Sequence, residues 1–160
     1  MKLTTFTDYS LRVLIYLAAD PKRQATIAEI ATSFDISESH LMKVVHFLGK
    51  KGWVATVRGK GGGMTLGQPA ESIVIGDVVR QTEGAPMPAA CFGMDDPHCS
   101  IADICRLRGI LGEAIGAFLA VLDRYTLADL VVNRQALAPI LFISGPISGE
   151  RSARTGAFPG

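Results

Sequence analysis

Residues 25–67 read "ATIAEIATSFDISESHLMKVVHFLGKKGWVATVRGKGGGMTLG", and the succession of periods inside this stretch decides the fold. Ile27, Ile30, Ala31 and Phe34 recur at helical spacing, after which "DIS" makes a short turn. A second helical stripe follows in Leu41, Val44, Val45 and Leu48, with Ser37 at the N-cap position and Gly52 at the far end. His40 stands three residues beyond Ser37, where a full capping box would carry Glu. Two short helices around a tight turn make a helix-turn-helix. The continuation is strand, basic glycine-rich turn, strand: Val54 and Val57 precede "RGKGGG", and Met64 and Leu66 follow it. The pattern predicts a winged helix.

In such a fold the second helix of the pair enters the major groove of DNA. That helix would turn Ser39, His40, Met42, Lys43 and His46 outward. Ser39, His40 and Lys43 lie near its amino-terminal end and are the candidates for base edges. Lys43, Lys50 and Lys51, with Arg58 and Lys60 on the wing, can neutralise phosphates irrespective of sequence. The ordinary alternative for His40 and His46 is a solvated surface position. Gly59, Gly61, Gly62 and Gly63 would let the wing backbone lie close to a phosphate or in a narrow groove. A nucleotide phosphate cradle is disfavoured, because no Lys-Ser or Lys-Thr follows at Walker spacing.

The rest of the 160-residue chain is consistent with one soluble unit. From Met1 to Gln68 nine Lys plus Arg stand against five Asp plus Glu, a balance of +4, while from Pro69 to Gln135 five stand against nine, a balance of −4. A basic amino-terminal half and an acidic remainder suggest that only the first half meets a polyanion. The opening "MKLTTFTDYSLRVLIYLAAD" carries Asp8 and Arg12 within its apolar pattern and reads as a helix over about residues 8–19, not as a signal peptide. No apolar run is long enough to span a bilayer, so no membrane is expected.

Downstream, "ESIVIGDVVRQTEG" reads as a short helical passage. Beyond it Ile101, Ile104, Leu107, Leu111, Ile115, Phe118, Leu119 and Leu122 stay in helical register. A helix that long and apolar exceeds what a small winged helix can cover. It is expected to pack against its copy, giving a homodimer whose two-fold axis suits a palindromic operator in double-stranded DNA. The fold expected is therefore mainly α with a small β wing. Residues 1–80 would form the winged helix-turn-helix domain, 81–105 a cysteine-bearing loop, 101–135 the dimerisation helix and 136–160 a flexible tail.

All three cysteines fall within "CFGMDDPHCSIADIC", residues 91–105. An odd number of thiols without an export signal points to the reducing cytoplasm and to metal or redox chemistry rather than a disulfide framework. Cys91, Cys99 and Cys105 have the spacing C-x7-C-x5-C, and a turn-rich loop can fold the first two over the third. Soft thiolates suit zinc, copper(I) or an iron-sulfur cluster, and the residues alone leave these open. A fourth ligand is missing locally; His98 adjoins Cys99 and is one candidate. Three ordinary buried thiols would be the plainest reading of the cluster. Nothing supports an enzyme: there is no nucleophile with a paired base and no dinucleotide fingerprint after a strand.

Taken together, "LTTFTDYSLRVLIYLA", "VRGKGGGMTLGQPAESIVIGDVVRQTE", the three cysteines and "FLAVLDRYTLADLV" resemble the Rrf-type winged-helix iron-sulfur regulators, above all their nitric-oxide-sensitive repressors, over about residues 1–135. The resemblance implies a homodimeric transcriptional repressor that answers nitric oxide. It implies an iron-sulfur cluster, 4Fe–4S in first place and 2Fe–2S as the alternative, held by Cys91, Cys99 and Cys105, with Asp8 of the other subunit completing the coordination. The iron-sulfur biogenesis branch of the family uses a histidine shortly after its last cysteine; here "CRLRG" offers Arg106, Leu107 and Arg108 instead. Iron-responsive members share a three-cysteine arrangement and form the second expectation. A zinc-holding or thiol-switch DNA-binding protein is the third.

Overall fold

The computed structural model describes residues 2–57, 59, 62–84, 101 and 104–142. Arg58, Lys60, Gly61, Cys91, His98, Cys99 and the tail from residue 143 lie outside the described residues. Helix α1 spans Thr5–Ala19, α2 Ile27–Phe34 and α3 Glu38–Lys50. An antiparallel pair, β1 Val54–Val57 and β2 Gly63–Leu66, forms the wing, with Val54 opposite Leu66 and Val57 opposite Gly63. A 3-10 turn at Ala70–Ser72 leads to α4, Ile75–Glu83. Among the described residues α5 Arg106–Leu122, α6 Leu127–Leu130 and α7 Arg134–Leu141 complete the chain. The fold is mainly α with a two-stranded wing, as the sequence pattern predicts.

The core sits between α1, α2, α3 and the passage from Ile73 to Val79. Leu14, Leu17, Ile30, Leu41, Leu48, Ile73 and Val78 are fully buried there, and each such side chain contributes about 1.5–3 kcal/mol. Helix α1 begins three residues earlier than its apolar pattern, because Thr4 caps it through a hydrogen bond from the Thr7 amide, 3.3 Å. The polar residues of "TFTDYS" fit inside a helix because their hydroxyls are used. Thr7 Oγ1 donates to Thr82 Oγ1 at 2.8 Å and Ser10 Oγ to the Phe6 carbonyl at 2.7 Å.

Helix α2 is opened by a reciprocal box between Thr26 and Glu29, and Asp35 closes it in the left-handed region at φ 54°. Ser37 takes the N-cap backbone position of α3, but its side chain caps no backbone amide and instead shares a 3.3 Å hydrogen bond with Ser39 Oγ. In the wing, a Cβ on Gly62 would collide with the Val57 carbonyl. Glycine at this position is therefore needed to close the hairpin, whatever the wing touches outside.

The single helix expected over 101–135 is a correction. Helix α5 ends at Leu122 because the chain is needed elsewhere. The Tyr125 carbonyl accepts the Ile75 amide at 2.9 Å, and the Leu127 amide donates to the Ile73 carbonyl at 2.8 Å. Thr126 then caps α6 in a box with Asp129, and Leu127 is fully buried in the core. The tail expected from residue 136 is likewise corrected in its first part: α7 covers Arg134–Leu141 and buries Leu141. Helix α5 is tied to α4 by an ion pair from Arg80 to Asp123, and Phe118, Leu119 and Leu122 pack against the core. No residue of α5 is buried, however; Leu107 and Ile110 are each 59% exposed.

Candidate nucleic-acid interface and cluster ligands

Helix α3 sorts its residues by face. Leu41, Val44, Val45 and Leu48 are buried, while Ser39, His40, Met42, Lys43, His46 and Lys50 are exposed on the opposite side. At 1.5 Å per residue this helix presents a rod of about 20 Å, enough to lie along one major groove. Lys50 in its last turn also complements the helix dipole. The structure thus brings Ser39, His40, Lys43 and Lys50 onto one solvent-facing side.

Two of the expected groups have partners that the sequence did not reveal. His40 stacks at a tilt beside Tyr9 of α1, with ring centroids 6.3 Å apart. Lys51 donates to Gln81 of α4 at 2.5 Å and lies over the Phe47 ring, so it braces α3 against α4. Tyr9 was missed because it belongs to a different helix and no local spacing connects it with His40.

Asp8 lies in the first turn of α1 and pairs with Arg12 one turn on, Oδ2 to Nε 3.0 Å. The spacing of four residues was the readable signal for this pair. The Asp8 side chain remains 46% exposed. It lines an open groove of about 690 Å³ together with Leu3, Tyr9, Arg12, Phe34 and Ile36. A carboxylate so placed can be reached from outside the subunit, which a ligand donated to a partner's cluster requires.

Cys105 is half-buried at the N-cap of α5 and its thiol is free. The first turn of α5 contains Arg106 and Arg108 and no acidic residue. The N-terminus of α5, the positive end of its dipole, thus lies at Cys105. The donor set of soft thiolates with one hard, accessible carboxylate fits an iron-sulfur cluster with a weakly held corner. Of the expected ligands, Asp8 and Cys105 fall among the described residues, on separate elements, and among those residues no three His, Cys, Asp or Glu side chains come together as a metal site.

A model of the Rrf2 family, described as an iron-dependent transcriptional regulator, matches residues 3–133. The HTH-type transcriptional regulator NsrR of Bacillus subtilis is 50% identical over 142 residues, which cover 88% of this chain and 97% of that protein. The protein of the same name from Geobacillus kaustophilus is 47% identical over 142 residues, again 88% of this chain and 97% of the relative. Among solved structures, CymR of Bacillus subtilis, described as the global cysteine regulator, superposes with a TM-score of 0.65 at 29% identity, covering 83% of this chain and 98% of that one.

Proposed function

The chain belongs to the Rrf2 family of transcriptional regulators, and from that premise we propose that it is a homodimeric, cytoplasmic repressor that releases a palindromic operator in response to nitric oxide. The observation that carries the reading is the donor set: three cysteines confined to residues 91–105, with an accessible Asp8 on another element. Cys91, Cys99 and Cys105 hold an iron-sulfur cluster of the 4Fe–4S type, and Asp8 comes from the partner subunit. When bound, the cluster supplies an iron whose carboxylate corner a small diatomic ligand can reach without first breaking an iron-thiolate bond.

The residues of the chain do the rest. Asp8 is fixed to α1, and α1 packs on α3, so a change in what Asp8 holds shifts the recognition helix. Two such helices set the spacing of the half-sites. Ser39, His40 and Lys43 read base edges, while Lys50, Arg58 and Lys60 hold phosphates. Dimerisation uses α5. Leu107 and Ile110 are each 59% exposed, so burying what remains against a second copy gains about 1–2 kcal/mol each.

The family's description as iron-dependent favours one second reading, an iron- or cluster-status-responsive regulator with the same ligands. Anaerobic purification followed by a visible spectrum and DNA footprinting tests the proposal. A coloured protein that protects a symmetric site, and loses protection with nitric oxide but not with an iron chelator, is expected. A colourless, zinc-loaded protein with the same footprint contradicts it.

A further inference from the structure

The family match ends at residue 133, yet the chain continues through α7 and turns back onto the helix-turn-helix. Ser33 Oγ of α2 donates to the Leu141 carbonyl at 2.7 Å. The Phe142 ring meets Tyr16 of α1 edge-on, centroids 5.1 Å apart, and the Arg23 guanidinium lies 4.9 Å from the Phe142 centroid. Arg23 joins these aromatic contacts to the start of α2. It donates to Tyr16 Oη at 3.0 Å and pairs with Glu29. Glu29 in turn accepts the Thr26 amide at 2.7 Å, which is the cap of α2. Between Arg23 and Thr26, Ala25 exchanges both backbone hydrogen bonds with Met64 of the wing, 3.0 and 2.7 Å.

One short loop therefore holds the end of α1, the start of α2 and a wing strand, and Phe142 closes over it. We propose that Phe142 and Arg23 are positioning residues for DNA binding: the carboxy-terminal strap fixes the wing and α2 in one relative placement, which the recognition helix and wing need in order to engage one site together. The Arg23–Glu29 pair is about one-third exposed on either side, 34% and 38%, so as an isolated ion pair it carries little. Its effect lies in geometry, because the guanidinium spans Tyr16, Glu29 and Phe142 at once. A lysine ammonium cannot make that fork. The inference rests on the DNA-binding part of the proposed function and is independent of cluster and signal.

The test uses the full-length protein, purified anaerobically so that the parent and every variant are compared at equal visible absorbance, and a duplex selected by the parent protein from random-sequence DNA, with a scrambled duplex of equal length as reference. Phe142→Ala is expected to weaken binding to the selected duplex on the order of tenfold, the factor for losing one edge-on aromatic and one cation–π contact. The salt slope should stay that of the parent, since no phosphate contact is removed. Phe142→Tyr should restore affinity. Arg23→Lys, which leaves the ring packed on Tyr16, should show the same loss with a melting temperature near the parent's, and so keeps the test valid if Phe142→Ala folds poorly. Unchanged affinity in Phe142→Ala and Arg23→Lys, with or without a lower melting temperature, overturns the strap alone. A parent that selects no duplex overturns the DNA-binding reading and the strap with it.

Discussion

Asp8 shows how one residue can satisfy two accounts. A carboxylate in the first turn of α1 is stabilised by the helix dipole and by Arg12, and needs no metal. The Asp8–Arg12 pair is exposed on both sides, so its loss costs only about 0.3–0.5 kcal/mol. Asp8→Ala should therefore leave the melting temperature nearly unchanged. If Asp8 is the cross-subunit ligand, the same variant should still assemble its cluster on three thiolates yet react differently with nitric oxide. Parallel titrations of Asp8→Ala and Asp8→Asn, followed by absorbance, separate the two: traces that overlay the parent's make Asp8 a dipole partner only. The DNA-facing residues divide similarly. Lys43→Ala should alter preference among operator variants, whereas Lys60→Ala should weaken binding to all DNA and flatten the salt dependence by about one unit. A Lys43→Ala protein with parental preference would move base readout elsewhere on α3.

At the level of elements, α5 and α6 carry the sharpest consequences. Glutamate at Ile110 places a charge in the proposed dimer seam, and Ile110→Glu should yield a monomer by light scattering with the winged helix still folded. A dimer that survives this change contradicts the role given to α5. Asp129 accepts the Thr126 amide at 2.7 Å and the Thr126 hydroxyl at 2.8 Å, and these bonds hold its carboxyl below the ordinary 3.8. A depressed folded value means the contribution is complete above the unfolded value and is lost as pH falls through the folded one. Asp129→Asn should therefore lower the melting temperature at neutral pH, and the gap from the parent should close in acid below the carboxylate range. A gap independent of pH would show that the carboxylate is not what caps α6.

The same elements show what a sequence can and cannot reveal. The stripes of α2 and α3 were legible because period and burial coincide at Ile30, Leu41, Val44 and Leu48. The end of α5 was not, because "LDRYT" contains no glycine or proline and the helix stops for a tertiary reason, the bridging of Val74 to Thr126. Thr126 with Asp129 three residues on was a readable start signal that the long apolar register outweighed. Asp8 could be singled out only by resemblance, since its local role and its proposed one look alike in one chain.

For the molecule as a whole, charge and connectivity run in the same direction. The basic amino-terminal half presents α3 and the wing, while the acidic remainder supplies α4, the cysteines and α5. Phe142 brings the end of the described chain back to its beginning through Tyr16 and Arg23. In the proposed reading Asp8 is linked to the recognition helix through α1, which packs directly on α3. The most direct test of the central claim is one anaerobic titration of the operator-bound protein with nitric oxide, in which visible absorbance and the bound fraction are read from the same sample. The account predicts that absorbance changes first or together with release, and that the released protein is still a dimer. Full operator occupancy after the absorbance has been consumed, or release from a protein that never absorbed in the visible, would contradict it.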